Sequence, residues 1–165
     1  TVLGYPSTLP VTLDELLMLA AAVRRGLSTP LLVGDMPFGS YEQSNEQAVA
    51  NAHRFIKEAG CDAVKLERGG SSVERARAII RAGIPVMGHV GLTPQTAVSL
   101  GGYRSQGRTA ERALEVCQDA LALQEAQAPT LDRASLLFSS GSTGKVKGIL
   151  SANRAACLQP RRRQQ

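Results

Sequence analysis

The chain repeats one unit. Three apolar runs, at 30–35, 62–67 and 84–90, each follow a helical pattern that stops at a glycine (Gly26, Gly60, Gly83). The unit is roughly 30 residues long, the size of a strand with its crossover helix. Short apolar runs bounded by turn residues read as buried strands. Alternation of strand and helix leaves few topologies, because parallel neighbours need a crossover and that crossover is right-handed. The expected class is therefore α/β with a parallel sheet.

The helix starts carry their own signal. Thr12-Leu13-Asp14-Glu15, Ser44-Asn45-Glu46-Gln47 and Ser71-Ser72-Val73-Glu74 all have the spacing of a capping box. Helices are predicted from Thr12 to about Arg25, from Ser44 to a stop at Gly60, and from Ser71 to Ala82. In the second, Ala48, Ala52, Phe55 and Ile56 share a face that should be buried. A fourth helix is predicted over about 109–126, apolar at Ala113, Leu114, Cys117, Ala120, Leu121 and Leu123. Residues 1–11, 36–43 and 91–108 read as loops.

The chain has 165 residues, 43% of them hydrophobic and 20% charged. That suffices for one domain with a core and falls short of the roughly 250 residues of a closed (β/α)₈ barrel. No apolar run approaches the roughly 20 residues of a membrane span. The start, Thr1-Val2-Leu3-Gly4, has no Met and no basic region, so the chain is expected to begin inside a longer protein. Cys61, Cys117 and Cys157 are scattered, with no C-x-x-C pair, which implies neither a disulfide framework nor a zinc site. A reducing, intracellular setting is the expectation. The net charge of +5 belongs to the tail: Arg133, Lys145, Lys147, Arg154, Arg161, Arg162 and Arg163 face one acid, Asp132. Without interleaved aromatics or a nucleic-acid motif, solvated charge explains it better than nucleic-acid binding.

Candidate chemistry lies at the strand ends. Lys65 and Glu67 are two residues apart, so both point to one face of their strand. Asp35 and His89 end the neighbouring runs. In a parallel β/α fold such groups converge at the C-terminal edge. Two carboxylates suit Mg²⁺, which completes its shell with water and substrate oxygens. A lysine beside them suits an anionic substrate, and enolisation of a 2-oxo acid is the natural chemistry. Other roles stay open on spacing alone. Asp35 would also serve as a turn or capping residue, Lys65 and Glu67 as an ion pair, and His89 as a hydrogen-bonded structural histidine.

Five motifs occur in one order: Gly4-Tyr5-x-Ser7-Thr8-Leu9-Pro10-Val11-Thr12, Asp35-x-Pro37-Phe38, Val64-Lys65-Leu66-Glu67, Gly88-His89-x-Gly91-Leu92-Thr93-Pro94-Gln95 and Gly101-Gly102-Tyr103-x-x-Gln106-Gly107-Arg108. Over about residues 1–127 the chain resembles the ketopantoate hydroxymethyltransferase family. The resemblance implies part of a (β/α)₈ TIM barrel of the phosphoenolpyruvate/pyruvate type, with Mg²⁺ as cofactor and 5,10-methylenetetrahydrofolate as co-substrate. It implies hydroxymethyl transfer to 3-methyl-2-oxobutanoate, giving 2-dehydropantoate in pantothenate biosynthesis. It places Asp35 and Glu67 at the metal, Asp35 and Lys65 on the oxo acid, and His89, Thr93, Gln95 and Tyr103 on active-face loops. It also implies a homo-oligomer off the membrane, cytoplasmic in a bacterial source, with a mitochondrial setting open in a eukaryotic one.

Departures shape the expectation. The family's Gly-Asp-Ser strand end would precede Thr1, and its catalytic glutamate would sit on a strand after the helix that here ends Leu123-Gln124-Glu125-Ala126-Gln127. No catalytic residue is therefore assigned, and the chain on its own is expected to be inactive. Pro6 stands where the family commonly has Asp, and Arg68 interrupts its Glu-Gly-Gly. The expected layout is a partial barrel over 1–127 and an unrelated, loosely packed basic tail over 128–165, which adds one strand near 134–139. Within that tail, 134–158 resembles the phosphate-binding loop of adenylate-forming acyl-CoA synthetases. It is not a Walker A loop, since Gly144-Lys145 is followed by Val146. Two alternatives to the transferase stay open: a non-catalytic remnant that binds a partner, and an ATP-binding fragment acting through Lys145.

Overall fold

The computed structural model describes residues 2–96, 102 and 106–127, together with the backbone of two strands at Ser135–Ser140 and Val146–Ser151. In chain order the elements are α1 (Leu13–Gly26), β1 (Val33–Asp35), α2 (Asn45–Lys57), β2 (Ala63–Glu67), α3 (Ser71–Arg81), β3 (Val86–Gly91), α4 (Ala110–Gln127), β4 (Ser135–Ser140) and β5 (Val146–Ser151). Strands and helices alternate up to β4, as the repeat predicts.

The three capping signals are realised to different degrees. At α1 the box is complete: Glu15 N–H donates to Thr12 Oγ1 (3.3 Å) and Thr12 N–H donates to Glu15 Oε2 (2.8 Å). Asp14 and Glu15 in the first turn and Arg24 and Arg25 in the last oppose the helix dipole. At α2 only half forms. Ser44 Oγ accepts from Gln47 N–H (3.1 Å), but the Gln47 side chain accepts from Gln43 N–H instead. At α3 the box is absent. Gly70 is the N-cap with no side-chain bond, so Ser71 is the first helical residue rather than the cap. Gly60 and Gly83 adopt φ of +69° and +88° just past their helices, the left-handed conformation that glycine takes without a Cβ clash. Gly26 is instead the last residue of α1, and the extended Leu27 caps it.

Strand order in the sheet is β1-β2-β3-β4-β5, parallel through β4, with β5 antiparallel to β4. Sequential order with right-handed crossovers puts α2, α3 and α4 on the same face. The core lies between that face and the helices, where Phe55, Val64, Leu66, Ile79 and Leu123 are buried. The opposite face carries the alternate residues Ala63, Lys65, Glu67, Met87 and His89. The strand expected near 134–139 is β4, Ser135–Ser140, parallel to β3, and a second strand, β5, which the sequence pattern does not announce, pairs with it. The apolar face of α4 also differs. Leu114 and Leu121 are each 58% exposed and Cys117 is exposed, while Leu123 and Ala126 are buried and Val116 and Ala120 pack beside them. Packing against α3 and β3 selects that stripe.

The missing cap of α3 is replaced from α4. The Asp119 carboxylate fills the space a Cβ at Gly69 would need, and it accepts the Gly70 N–H. Burial pushes the Asp119 carboxyl above its usual range, the Gly70 bond opposes this, Glu115 raises it further and Arg68 lowers it. The folded chain thus holds this proton more tightly than the unfolded chain. Its contribution is fully present below the unfolded value of about 3.9 and is lost as pH rises through the higher folded value. Asp119→Asn removes that loss and keeps an acceptor for Gly70. The urea midpoint of the variant, relative to wild type, is expected to rise with pH over the window that opens at about pH 4. A constant difference across that window contradicts the account.

Candidate active site

The C-terminal ends of β1, β2 and β3 place four polar side chains on one face. Asp35 is in register with Lys65, and Glu67 with His89. Adjacent strands lie about 4.8 Å apart and rise about 3.3 Å per residue, so the Asp35 and Glu67 Cα atoms are roughly 8 Å apart. Lys65 Nζ donates to Asp35 Oδ2 at 2.7 Å, with the lysine side chain 22% and the aspartate 50% exposed. The lysine's partner is therefore Asp35, not Glu67 two residues along its own strand.

Glu67 is 3% exposed. An ionised carboxylate so placed needs hydrogen bonds to offset its lost hydration. Its Oε2 accepts from Gln95 N–H (3.0 Å), and its Oε1 lies 3.2 Å from His89 Nδ1. Gln95 follows β3 in a single 3₁₀ turn at 94–96. Its Nε2 donates to the Met36 carbonyl (2.8 Å), and its Oε1 accepts from the Tyr41 hydroxyl (3.1 Å). That hydroxyl also accepts the Glu67 N–H (3.2 Å), which lies beyond the end of β1. Burial pushes the Tyr41 phenol far above its ordinary value, the Glu67 N–H bond opposes this, and the carboxylates of Glu42, Glu67 and Asp35 raise it further.

Asp35, Lys65, Glu67, His89 and Gln95 are thus brought to one edge. Thr93 is buried and bonds the Thr96 hydroxyl at 2.7 Å, which ties the turn that holds Gln95. Tyr103 lies outside the described residues. Tyr41 is absent from the sequence-derived set. Its only signal is an aromatic in the loop, two residues after Pro37-Phe38-Gly39. Among the described residues no three of His, Cys, Asp and Glu converge on one point. The oxygen donors on offer are therefore two carboxylates, a set that fits Mg²⁺, which usually takes one or two from a protein. Glu67 keeps lone pairs beyond the two bonds it makes.

Arg68, directly after Glu67, has φ +75°, the only non-glycine with positive φ among the described residues. The left-handed region costs an L-residue roughly 1–2 kcal/mol. Glycine relieves that strain but gives up about 0.4–1 kcal/mol through a looser unfolded chain. Arg68→Gly is therefore expected to stabilise the protein by up to about 1 kcal/mol, read from the thermal midpoint. A lower midpoint would mean that the arginine side chain makes contacts worth more than the strain.

The fold and this edge define an α/β protein whose charged groups stand at the C-terminal ends of consecutive parallel strands, where such proteins bind their ligands. The chain belongs to the ketopantoate hydroxymethyltransferase family, whose model matches residues 1–132. It is 54% identical over 127 residues to the 3-methyl-2-oxobutanoate hydroxymethyltransferase of Heliobacterium modesticaldum, covering 77% of this chain and 46% of that one. It is 57% identical over 127 residues to the protein of the same name from Gloeobacter violaceus, covering 76% and 49%. It is 56% identical over 124 residues to the Arabidopsis thaliana 3-methyl-2-oxobutanoate hydroxymethyltransferase 1, mitochondrial, covering 74% and 36%. The chain spans about half the length of the bacterial relatives it matches. Among the described residues no helix is long and apolar enough to cross a membrane.

Proposed function

We propose that the chain is part of a (β/α)₈ barrel that transfers a hydroxymethyl group from 5,10-methylenetetrahydrofolate to 3-methyl-2-oxobutanoate. Sequential parallel order with the helices on one face supports the barrel. The observation that carries the function is the Asp35–Lys65 pair beside a buried Glu67, on one strand face, in a member of this family. Asp35 and Glu67 would hold Mg²⁺, which when bound supplies a positive charge for the oxo oxygen as C3 of the oxo acid loses its proton. Lys65, whose side chain is 22% exposed, offers a cation to the substrate and is held in place by Asp35. Glu67, fixed from both sides, cannot swing away from its position. The nucleotide-binding alternative rests on the stretch 134–158, of which Gly141–Lys145, with the lysine it would act through, lie outside the described residues.

Calorimetry tests this. Mg²⁺ followed by 3-methyl-2-oxobutanoate should each give a saturating heat. A charged hydrogen bond contributes about 1.5–3 kcal/mol, so Lys65→Ala should weaken oxo-acid binding by about tenfold to a hundredfold. Because it frees Asp35, it should not weaken Mg²⁺ binding. Silence toward both ligands, or an unchanged oxo-acid affinity in the variant, overturns the reading and favours a non-catalytic role.

A further inference from the structure

Three residues near the strand ends form a closed hydrogen-bonded ring. Glu67 N–H donates to the Tyr41 hydroxyl, that hydroxyl donates to Gln95 Oε1, and Gln95 N–H donates back to Glu67 Oε2. The ring has one further tie: Gln95 Nε2 donates to the carbonyl of Met36, the residue after Asp35. Each group has a single sensible role. The amide presents its oxygen to a hydroxyl and its nitrogen to a carbonyl, so its orientation is determined by its partners. Tyr41 and Gln95 are both almost fully buried, at 2% and 8% exposure, so water offers little competition for these bonds. Tyr41 reaches in from the loop after β1, Glu67 ends β2, and Gln95 follows β3.

We infer that Tyr41 and Gln95 are positioning residues that set the spacing between the Asp35 and Glu67 carboxylates, and so tune the affinity of the site for a divalent cation. The inference rests on the metal reading above. Gln95 touches both ends of that spacing: its backbone holds the Glu67 carboxylate, and its side chain holds the backbone next to Asp35. Tyr41 keeps the amide turned the right way and at the same time pins the backbone of Glu67. Neither residue contacts the cation. Each acts by denying the two carboxylates the freedom to move apart.

The test uses the 165-residue chain with Mg²⁺ as the probe. Tyr41→Phe keeps the ring and removes the hydroxyl. Gln95→Met keeps the length and the backbone bond to Glu67 and removes the amide. Outer-shell partners of metal ligands are typically worth 10–100-fold in affinity, so each variant should bind Mg²⁺ about tenfold or more weakly by calorimetry. Both changes break the same chain of bonds, so the double variant should lose about as much as either single one. A purely structural role would lower thermal stability without this shared loss of affinity. Hydrogen exchange provides a reading that needs no variant: in wild type the Glu67 amide, whose acceptor is the Tyr41 hydroxyl, should be protected alongside that of Gln95. Rapid exchange at Glu67 overturns the ring. Wild-type binding matched by both variants, or losses that multiply in the double variant, overturns the positioning role and leaves the metal reading standing. A wild type that binds no Mg²⁺ overturns the metal reading, and the positioning role with it.

Discussion

The 165-residue chain, supplied with Mg²⁺, methylenetetrahydrofolate and 3-methyl-2-oxobutanoate, is expected to form no detectable hydroxymethylated product. The family resemblance places the base that deprotonates C3 on the strand after the fourth helix. Here the strand beside β3 is β4, Ser135–Ser140, in register with it from Gly88 opposite Leu137 to Gly91 opposite Ser140. Its sequence, Ser-Leu-Leu-Phe-Ser-Ser, contains no carboxylate. Loss of one positioned acid–base group lowers a rate by about 10²–10⁴. Asp35, Lys65 and Glu67 would bind without turning over. Quenched-sample product analysis checks this. Turnover at about 1 s⁻¹ or faster, the ordinary range for enzymes, that is lost in Lys65→Ala would show that the chain completes its site by assembly.

Gly34→Val is expected to destabilise the fold by about 3 kcal/mol or more. Gly34 lies in the middle of β1, and its missing Cβ is the space that the Phe55 ring of α2 occupies. Phe55 is fully buried in the core, so it has no open side to move into. Overpacking alone costs about 1–3 kcal/mol, while expelling a core phenylalanine costs about 3–5. Valine forces the second outcome, because its branched side chain would lie inside the ring. The loss is a large part of the roughly 5–15 kcal/mol of a typical domain. It also reaches the site, since Asp35 is the next residue. Urea unfolding of Gly34→Val, with Gly34→Val/Phe55→Ala as the compensating pair, measures the effect. The pair should recover part of the loss. A single variant within about 0.5 kcal/mol of wild type, the range of surface changes, would mean that α2 is free to shift away from the sheet.

Much of this architecture is legible from neighbours in sequence. The spacing of Ala48, Ala52, Phe55 and Ile56 forecasts one buried face; the first three are buried and Ile56 is partly so. Thr12 and Glu15 announce a helix start and form it in full. Lys65 and Glu67 share a strand face because the period of a strand is two. The same local rules fail where a distant residue competes. Ser71 and Glu74 have the spacing of a capping box, but Gly70 takes the cap and Asp119 of α4 accepts its N–H. Leu114 and Leu121 match a helical apolar stripe as well as Val116 and Leu123 do, and only the position of α3 and β3 selects between them.

The repeat is local in origin: helix, glycine, strand and polar tip, and hence a parallel sheet with chemistry-bearing groups at one edge. Those features follow from turn conformations, periodicity and chirality, all of which act over a few residues or one crossover. Which groups at that edge touch depends on long-range packing. Lys65 turns to Asp35, 30 positions away, rather than to Glu67. Tyr41, in a loop with no motif to mark it, joins Glu67 and Gln95 across 26 and 54 positions. Such contacts depend on strand register and on the few ångströms a buried hydroxyl must span to find a partner. Residue spacing along the chain carries no record of either distance.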